Sequence, residues 1–539
     1  MRGLVLLVAL AACGGGDDKT EPANTADTSS ASTEPVLPCE RPDIMPRAFD
    51  EGEGGVLFGE LAADFTVNLV DDEVWTLSEN WTGCDSYIFV THWDDSEGDT
   101  LWSSDGNDLL TAAPSNAHIF FVSMASAKPD RRRKVEEMRD SLTLGAKRKD
   151  RVHFVTDRLD KIDGSVGAMV SDYMDYQPQS GEDLGDRGTA YAPDLVMFGI
   201  DVEQRWDPGG NIDNFVGGTP TLEMAGYLGH FYNHKAELAE RLANEEGVTE
   251  AVLVDEEVTS RIFVETVDLP ADLSGFDTLE FDVQVICEHR NPFACSEWDR
   301  NARIELCVDG EECADRRELV RWITPYWRRG ERRWAMDASQ LLPLLSGGRT
   351  SFRIEMGPDW ERGTARKARM AVRLSTRGVP RPTGAELVYR GANFDSYYNE
   401  RDPVLFTPPA GATRVELVSI VSGHGQDGST NCSEWCDHRH HFTINGAEAE
   451  SIVPESGIGS LPGCALMAKK GVSPGQWGNW AALRAYWCPG LPVEPITTDL
   501  TAHAIPGAEN TLDYTATLGE RGEPGGGNID LSTYVVWYE

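Results

Sequence analysis

The sequence predicts a multidomain chain in which an α/β portion, residues 39–246, precedes two antiparallel β-sandwiches, residues 250–380 and 383–539. Three observations predict it. Strand-like and helix-like patterns alternate up to Asn244, the order expected of a largely parallel sheet with helices on its faces. After Asn244-Glu245-Glu246-Gly247 the helical period disappears, and short alternating runs separated by Gly, Pro and Asn take over, as in antiparallel sandwiches. Gly/Pro punctuation between Gly378 and Gly384 then divides that second part in two.

From the N-terminus, Met1-Arg2-Gly3, the apolar stretch 4–9 and Leu10-Ala11-Ala12-Cys13 carry the charged and apolar regions of an export signal. They resemble a bacterial lipoprotein signal over residues 1–13, which implies cleavage before Cys13 and a diacylglycerol anchor on its thiol. An ordinary short signal peptide is the alternative. Residues 14–38 are a Gly/Ser/Thr/Asp/Glu/Pro stretch that cannot build a core and suits a flexible tether. The chain is therefore expected to be exported and lipid-anchored to the bacterial cell envelope, at the outer membrane or cell surface. No apolar run reaches the roughly 18 residues that signal a membrane-spanning helix. Lys plus Arg number 48 against 89 Asp plus Glu, a formal net charge of -41, which disfavours phosphate-rich partners; no nucleic acid is expected, and the chain is read as a monomer.

Apart from Cys13, ten cysteines remain, and an even number in an exported chain points to disulfides. The close spacings 287/295, 307/313 and 432/436 also suit metal ligands, but the exported context favours bridges. In the α/β portion, residues 64–70, 86–90, 117–122, 152–155 and 195–200 read as strands, and 131–144 and 232–244 as helices. "ADFTVNLVDDEVWTLSENW" followed by "SYIFVTHW" is similar to the opening of thioredoxin-like domains. Where that family places redox cysteines this chain has Asp94-Asp95-Ser96-Glu97, so thiol exchange is not expected, and Cys84 is expected to pair with Cys39.

In the second part, residues 261–270, 278–287, 302–308, 351–357, 368–376, 413–423, 440–446 and 510–518 read as strands. Cys-Ser-Glu-Trp occurs once in each half, at 295–298 and 432–435. The first copy puts Glu297, Trp298, Asp299 and Arg300 just before a strand; the second puts Glu434 on a loop between Cys432 and Cys436. Carboxylates in partly desolvated positions can activate water and protonate a leaving group.

Six segments in order, 295–300 (CSEWDR), 323–327 (ITPYW), 344–347 (LLSG), 422–425 (SGHG), 432–436 (CSEWC) and 487–490 (WCPG), resemble the peptide:N-glycosidase F family of bacterial amidases across about residues 255–539. The resemblance implies two eight-stranded jelly rolls with the active site at their interface. It implies hydrolysis of the amide between asparagine and the innermost N-acetylglucosamine of an N-glycan, with N-glycoproteins or glycopeptides as substrates and no cofactor or metal. Aspartate and a glycosylamine would be the products. Carried over by position, Asp299 matches the principal catalytic carboxylate and Glu434 a second one that helps hold the water, while Arg300 and Arg484 match positions associated with the site. Implied bridges are 287/295, 432/436 and 464/488, with Cys307 and Cys313 forming an extra one. The family's third carboxylate has no direct counterpart: Pro358 stands there, leaving Glu355 or Asp359 as candidates. His424 replaces an expected tryptophan. Trp298, Trp327, Trp360 and Trp435 are candidates to stack on sugar faces, core packing being the alternative for each.

Two other readings stay open at this level. A non-catalytic glycan-binding protein would keep the fold without needing its acids. A copper-dependent monooxygenase of related paired jelly-roll build would use His438, His440 and His441, since His-x-His on a strand puts two imidazoles on one face.

Overall fold

The computed structural model describes residues 39, 41, 44–145, 148–175, 195–207, 210, 212, 221–288, 295, 298–357, 366–425, 432–476, 478–520 and 522–539. A short hairpin, β1 (Thr66–Asn68) and β2 (Val74–Thr76), precedes a five-stranded sheet. Its strands are β3 (Ser86–His92), β4 (Ala117–Ser123), β5 (Val152–Val155), β6 (Met197–Ile200) and β7 (Trp206–Asp207), in the order β5-β4-β3-β6-β7. β3, β4 and β5 run parallel, while β6 and β7 run antiparallel to their neighbours. Every residue of β3 and β4 is buried, which is why both read as unbroken apolar runs: the sheet is covered on both faces. Strand alternation then splits the side chains into two cores, Ile88, Val90, Ile119 and Phe121 on one face and Tyr87, Phe89, Phe120 and Val122 on the other.

Helices α1 (Ser96–Trp102), α2 (Gly106–Ala112), α3 (Lys128–Ser141), α4 (Ser165–Asp175) and α5 (Glu223–Asn244) belong to this portion. Asp95 and Asp105 cap the first two through side-chain acceptance from Gly98 and Asn107 amides. The sequence reading found only α3 and the second half of α5. The first turns of α5, Met224 to Leu228, are buried on all sides, so they lack the polar stripe that a periodicity argument needs. Strand β1 is likewise shorter than the expected 64–70.

The first sandwich contains β8 (Thr249–Val258), β9 (Ile262–Leu269), β10 (Thr278–Cys287), β11 (Asn301–Cys307), β12 (Arg316–Ile323), β13 (Gly330–Asp337), β14 (Gly348–Glu355) and β15 (Arg366–Ser375). They form the antiparallel sheets β13-β10-β15-β8 and β12-β11-β14-β9. The second contains β16 (Gly384–Asn393), β17 (Val404–Phe406), β18 (Arg414–His424), β19 (His438–Ile444), β20 (Ala447–Glu448), β21 (Ile496–Asp499), β22 (Asn510–Leu518) and β23 (Asn528–Tyr538), paired as β16-β23-β18-β21 and β17-β22-β19-β20. Counted within each sandwich the orders are the same, 1-8-3-6 facing 2-7-4-5, which is jelly-roll winding.

The sandwiches meet along a seam. Val418, Tyr534, Val536 and Tyr538 of the second join the core of the first beside Leu341 and Leu342. Polar groups extend it: Arg321, fully buried, donates to Glu318 at 2.6 and 2.7 Å, to Ser422 Oγ at 2.8 Å and to Asp530 Oδ1 at 3.0 Å. Ser532 Oγ donates to Glu318 at 2.6 Å. Each buried charge has several partners, so removing one would strand the others at a cost of about 3–5 kcal/mol. Disulfides join Cys39–Cys84, Cys287–Cys295, Cys307–Cys313 and Cys464–Cys488. Cys436 is also disulfide-bonded; the side chain of its expected partner Cys432 lies outside the described set.

Candidate active site

Asp299 is held by a backbone crossing just ahead of β11. Thr324 Oγ1 donates to the Trp298 carbonyl at 2.7 Å and accepts from the Arg300 amide at 2.9 Å, while the Thr324 amide donates to the Arg300 carbonyl at 2.9 Å. Clamping the residues on both sides fixes the direction of the carboxylate between them. Two residues beyond Thr324, Tyr326 donates its phenol to Asp299 Oδ2 at 2.6 Å.

Glu434 comes from the other sandwich. The segment Cys432–Trp435, expected to be loop, is one helical turn. It lies so close to β18 that a Cβ on Gly423 would sit 1.8 Å from the Ser433 carbonyl oxygen, so glycine is required there by contact and not by backbone angle. Ser433 Oγ donates to the Gly526 carbonyl at 2.6 Å, and the Ala485 amide donates to the Glu434 carbonyl at 3.1 Å.

Arg484 joins the two acids. It lies in the long connection 449–495 between β20 and β21, inside the loop closed by Cys464–Cys488. Its side chain is inaccessible; Nε donates to Glu434 Oε1 at 3.2 Å and Nη2 stands 3.6 Å from Asp299 Oδ2. Nη2 also donates to Asn479 Oδ1 at 2.6 Å and to the Tyr326 phenol oxygen at 3.2 Å, and Nη1 donates to the carbonyls of Asn479 and Ala482. The Trp435 and Trp487 rings lie 4.6 and 5.0 Å from its guanidinium carbon.

Burial raises the Asp299 carboxyl above its ordinary value, opposed by Arg484 and by the Tyr326 hydrogen bond. Burial, with the charge of Asp299 second, pushes Glu434 up to about 7 against the pull of Arg484. Burial and the same carboxylate hold the Tyr326 phenol well above its ordinary value, so it stays a donor. Two acids thus sit astride one cation, one of them able to keep its proton into the neutral range, an arrangement suited to activating water and returning a proton.

The other expected residues fall into three groups. Trp298 is 42% exposed, with the Arg300 guanidinium carbon 5.8 Å from its ring and the Trp327 ring 6.1 Å away. His424 is withdrawn from the cleft chemistry: it stacks on Trp487 at 4.7 Å, its Nε2 is engaged with Ser422 Oγ at 2.8 Å, and burial pulls it down to about 3, keeping it neutral. Glu355 is engaged elsewhere. It faces Arg303 across the β11/β14 pair and accepts from Arg353 at 2.8 Å, making it part of an ion-pair network on that sheet. Asp359 and Trp360 lie outside the described residues, as does Glu297. His438 and His440 do share one face of β19, but both are buried and bonded to each other at 3.0 Å, with His440 Nδ1 on the Tyr514 phenol at 2.7 Å; His441 sits on the opposite face with Ser451 and Thr517.

Sequence reasoning did not single out Tyr326, Thr324 or Asn479. The first two lie inside the quoted 323–327 segment, and a polar pair in an otherwise apolar, Pro-containing strand exit was the available signal. Asn479 carried none.

The fold and cleft define a class: a paired jelly-roll chain with a carboxylate pair astride a buried arginine at the sandwich seam. Residues 393–536 match the family described as peptide-N-glycosidase F, C terminal. The chain is 26% identical over 286 residues, 50% of its length and 77% of the relative's, to the peptide-N(4)-(N-acetyl-beta-D-glucosaminyl)asparagine amidase F of Elizabethkingia miricola. Among solved structures, a peptide-N(4)-(N-acetyl-beta-D-glucosaminyl)asparagine amidase is similar at 22% identity, covering 54% of this chain and 96% of that one with a TM-score of 0.44. The structure titled PNGF-II is similar at 13% identity over 57% of this chain and 67% of that one, TM-score 0.43. The second sandwich thus matches the peptide-N-glycosidase F C-terminal family, and the C-terminal half of the chain is similar to an amidase of that kind.

Proposed function

We propose that this protein hydrolyses the amide between asparagine and the innermost N-acetylglucosamine of N-linked glycans. The observation that carries the reading is the position of Arg484 between Asp299 and Glu434, which joins one acid from each sandwich into a single cleft. Asp299 takes a proton from water; the water oxygen bonds to the side-chain carbonyl carbon, the bond from that carbon to the sugar nitrogen breaks, and the nitrogen leaves protonated as a glycosylamine. Glu434, held by Arg484, positions the water and supplies a group that stays protonated to near neutrality. Trp298, next to Asp299 in the chain, and Trp435, next to Glu434, are the candidate sugar-stacking faces. The test is incubation with a denatured N-glycoprotein and mass spectrometry of peptide and glycan. Aspartate at the former glycosylation site with an intact released glycan is expected, and Asp299→Asn should lower the rate about a thousandfold. Binding of glycopeptide without turnover would instead favour the glycan-binding reading.

The same reading includes export and an anchor at Cys13 on a bacterial envelope, which the disulfides support because such bridges persist in oxidising compartments. Incorporation of labelled fatty acid that disappears in Cys13→Ala is the expected result. The β3-β4-β5 parallel trio with its antiparallel β6 and β7 supports a thioredoxin-like descent for the α/β portion.

A further inference from the structure

The α/β portion lies against the backs of the two segments that carry Tyr326 and Arg484. Asp207, at the end of β7, accepts from Arg328 Nη2 at 2.8 Å, and both side chains are buried, at 2% and 3% exposure. Arg328 is two residues from Tyr326, and its Nε donates to the Pro474 carbonyl at 3.1 Å. Gln476 continues the link: its Oε1 accepts from the Tyr326 amide at 3.0 Å, and its Nε2 donates to the carbonyls of Ser473 and Pro489 at 3.0 and 2.9 Å. Three residues further is Asn479, the hydrogen-bond partner of Arg484.

Packing repeats what the hydrogen bonds do. Gly475 has φ +79° and lies so close to Gly210 that a Cβ on it would be 2.4 Å from the Gly210 Cα. Leu228 and Phe231 of α5 share one hydrophobic core with Tyr326, Ala465, Ala468, Trp480 and Leu483. Residues 38–539 accordingly form one compact unit in which the α/β portion is not set apart. The corner is crowded with positive charge: Arg329 lies over the Tyr173 ring at 4.6 Å, Arg332 over Phe231 at 5.6 Å, and burial beside Arg328 pulls Arg332 down to about 9. Asp207 is the carboxylate hydrogen-bonded to Arg328 in this corner.

We infer that the α/β portion is a third component of the catalytic centre, and that Asp207 is a positioning residue. Through Arg328 it sets the Tyr326 phenol on Asp299, and through Pro474 and Gln476 it sets the segment presenting Asn479 and Arg484. The inference rests on the proposed role of Asp299. It also gives the extra portion a function in a chain whose sandwiches already supply both acids.

The experiment uses the full chain. Asp207→Asn and the conservative Asp207→Glu are compared with wild type for kcat and KM on an N-glycopeptide. The titration of Asp299 in resting enzyme is followed by 13C NMR of labelled aspartate carboxyls, assigned with Asp299→Asn. Asp207→Asn should lower kcat about ten- to a hundredfold with KM within about twofold. It should also move the Asp299 titration upward, because the lost Tyr326 bond had held it down. Asp207→Glu should recover most of both, and in a Tyr326→Phe background Asp207→Asn should cost less than it does in wild type, because only the arm through Asn479 and Arg484 is left to lose. A lowered melting temperature with kcat and the Asp299 titration unchanged would overturn the inference, leaving Asp207 a stability residue. Should Asp207→Asn fail to fold, Arg328→Lys keeps a cation on Asp207 while removing the bond to Pro474; it should move both readouts in the same direction, and no movement overturns the idea. A wild type without amidase activity would sink the functional reading alone, since the Asp299 titration is measured without substrate.

Discussion

The two sandwiches share one winding yet contribute to the cleft by different means. The first offers Asp299 and Tyr326 from short segments at the ends of β11 and β12, clamped to each other through Thr324. The second offers Glu434 from a helical turn and Arg484 from the long connection 449–495, where a disulfide and the carbonyls of Asn479 and Ala482 hold the arginine. A duplicated architecture therefore supplies the walls, and the departures from duplication supply the chemistry. Loops on a rigid frame can be lengthened without disturbing its core, which is where functional residues tend to accumulate.

If that contrast is right, the largest effect should come from the residue that joins the halves. Arg484→Gln should lower kcat/KM about a hundred- to a thousandfold. It should also destabilise the protein by about 3–5 kcal/mol, because two buried carboxylates lose their cation; urea unfolding and steady-state kinetics measure both. A loss of activity without a loss of stability would mean that the acids do not depend on this cation in the resting protein.

Next in size is a pH effect. Glu434 keeps its proton in the folded state to about 7, whereas the same carboxyl in an unfolded chain ionises near 4.5. Between those values the folded state binds more protons, so stability falls as pH rises through the window, by roughly 3 kcal/mol from this one group. Glu434→Gln should flatten the fall between about pH 4.5 and 7, read from unfolding free energies at several pH values.

Tyr326→Phe removes one hydrogen bond to a buried carboxylate and should cost about tenfold in kcat with an upward shift of the acidic limb of kcat/KM, since that bond lowers Asp299. The smallest effect belongs to the first sandwich's outer network. Glu355→Gln should change kcat less than about twofold and lower stability by about 1 kcal/mol, because its partners Arg353 and Arg303 sit on the same sheet. A large kcat loss in Glu355→Gln would reinstate it as a third carboxylate.

Asp299, Glu434 and Arg484 could be picked out because the resemblance rests on short local motifs: Asp299 beside a Cys-Ser-Glu-Trp segment, Glu434 inside the second copy, Arg484 four residues before Cys488. The role of Glu355 could not be read this way, since it depends on sheet register. Only the β11/β14 pairing, with Arg303 opposite Glu355 and Glu305 opposite Arg353, shows two acids and two arginines neutralising each other. His424 replaces an expected tryptophan, but the side chain it meets, Trp487, is far along the chain and turns it into packing.

By itself the sequence determined many of the strand runs, the change from alternating helix and strand to strand alone after Asn244, and the acids and cysteines available. These follow from local spacing, which a linear text records. Tertiary structure alone decided that Arg484 would stand between Asp299 and Glu434, that Tyr326 would hold Asp299, and that Asp207 would reach Arg328 across 121 positions of chain. Such meetings depend on which loops a shared core brings together, and on buried charges finding partners at any sequence distance once water is excluded.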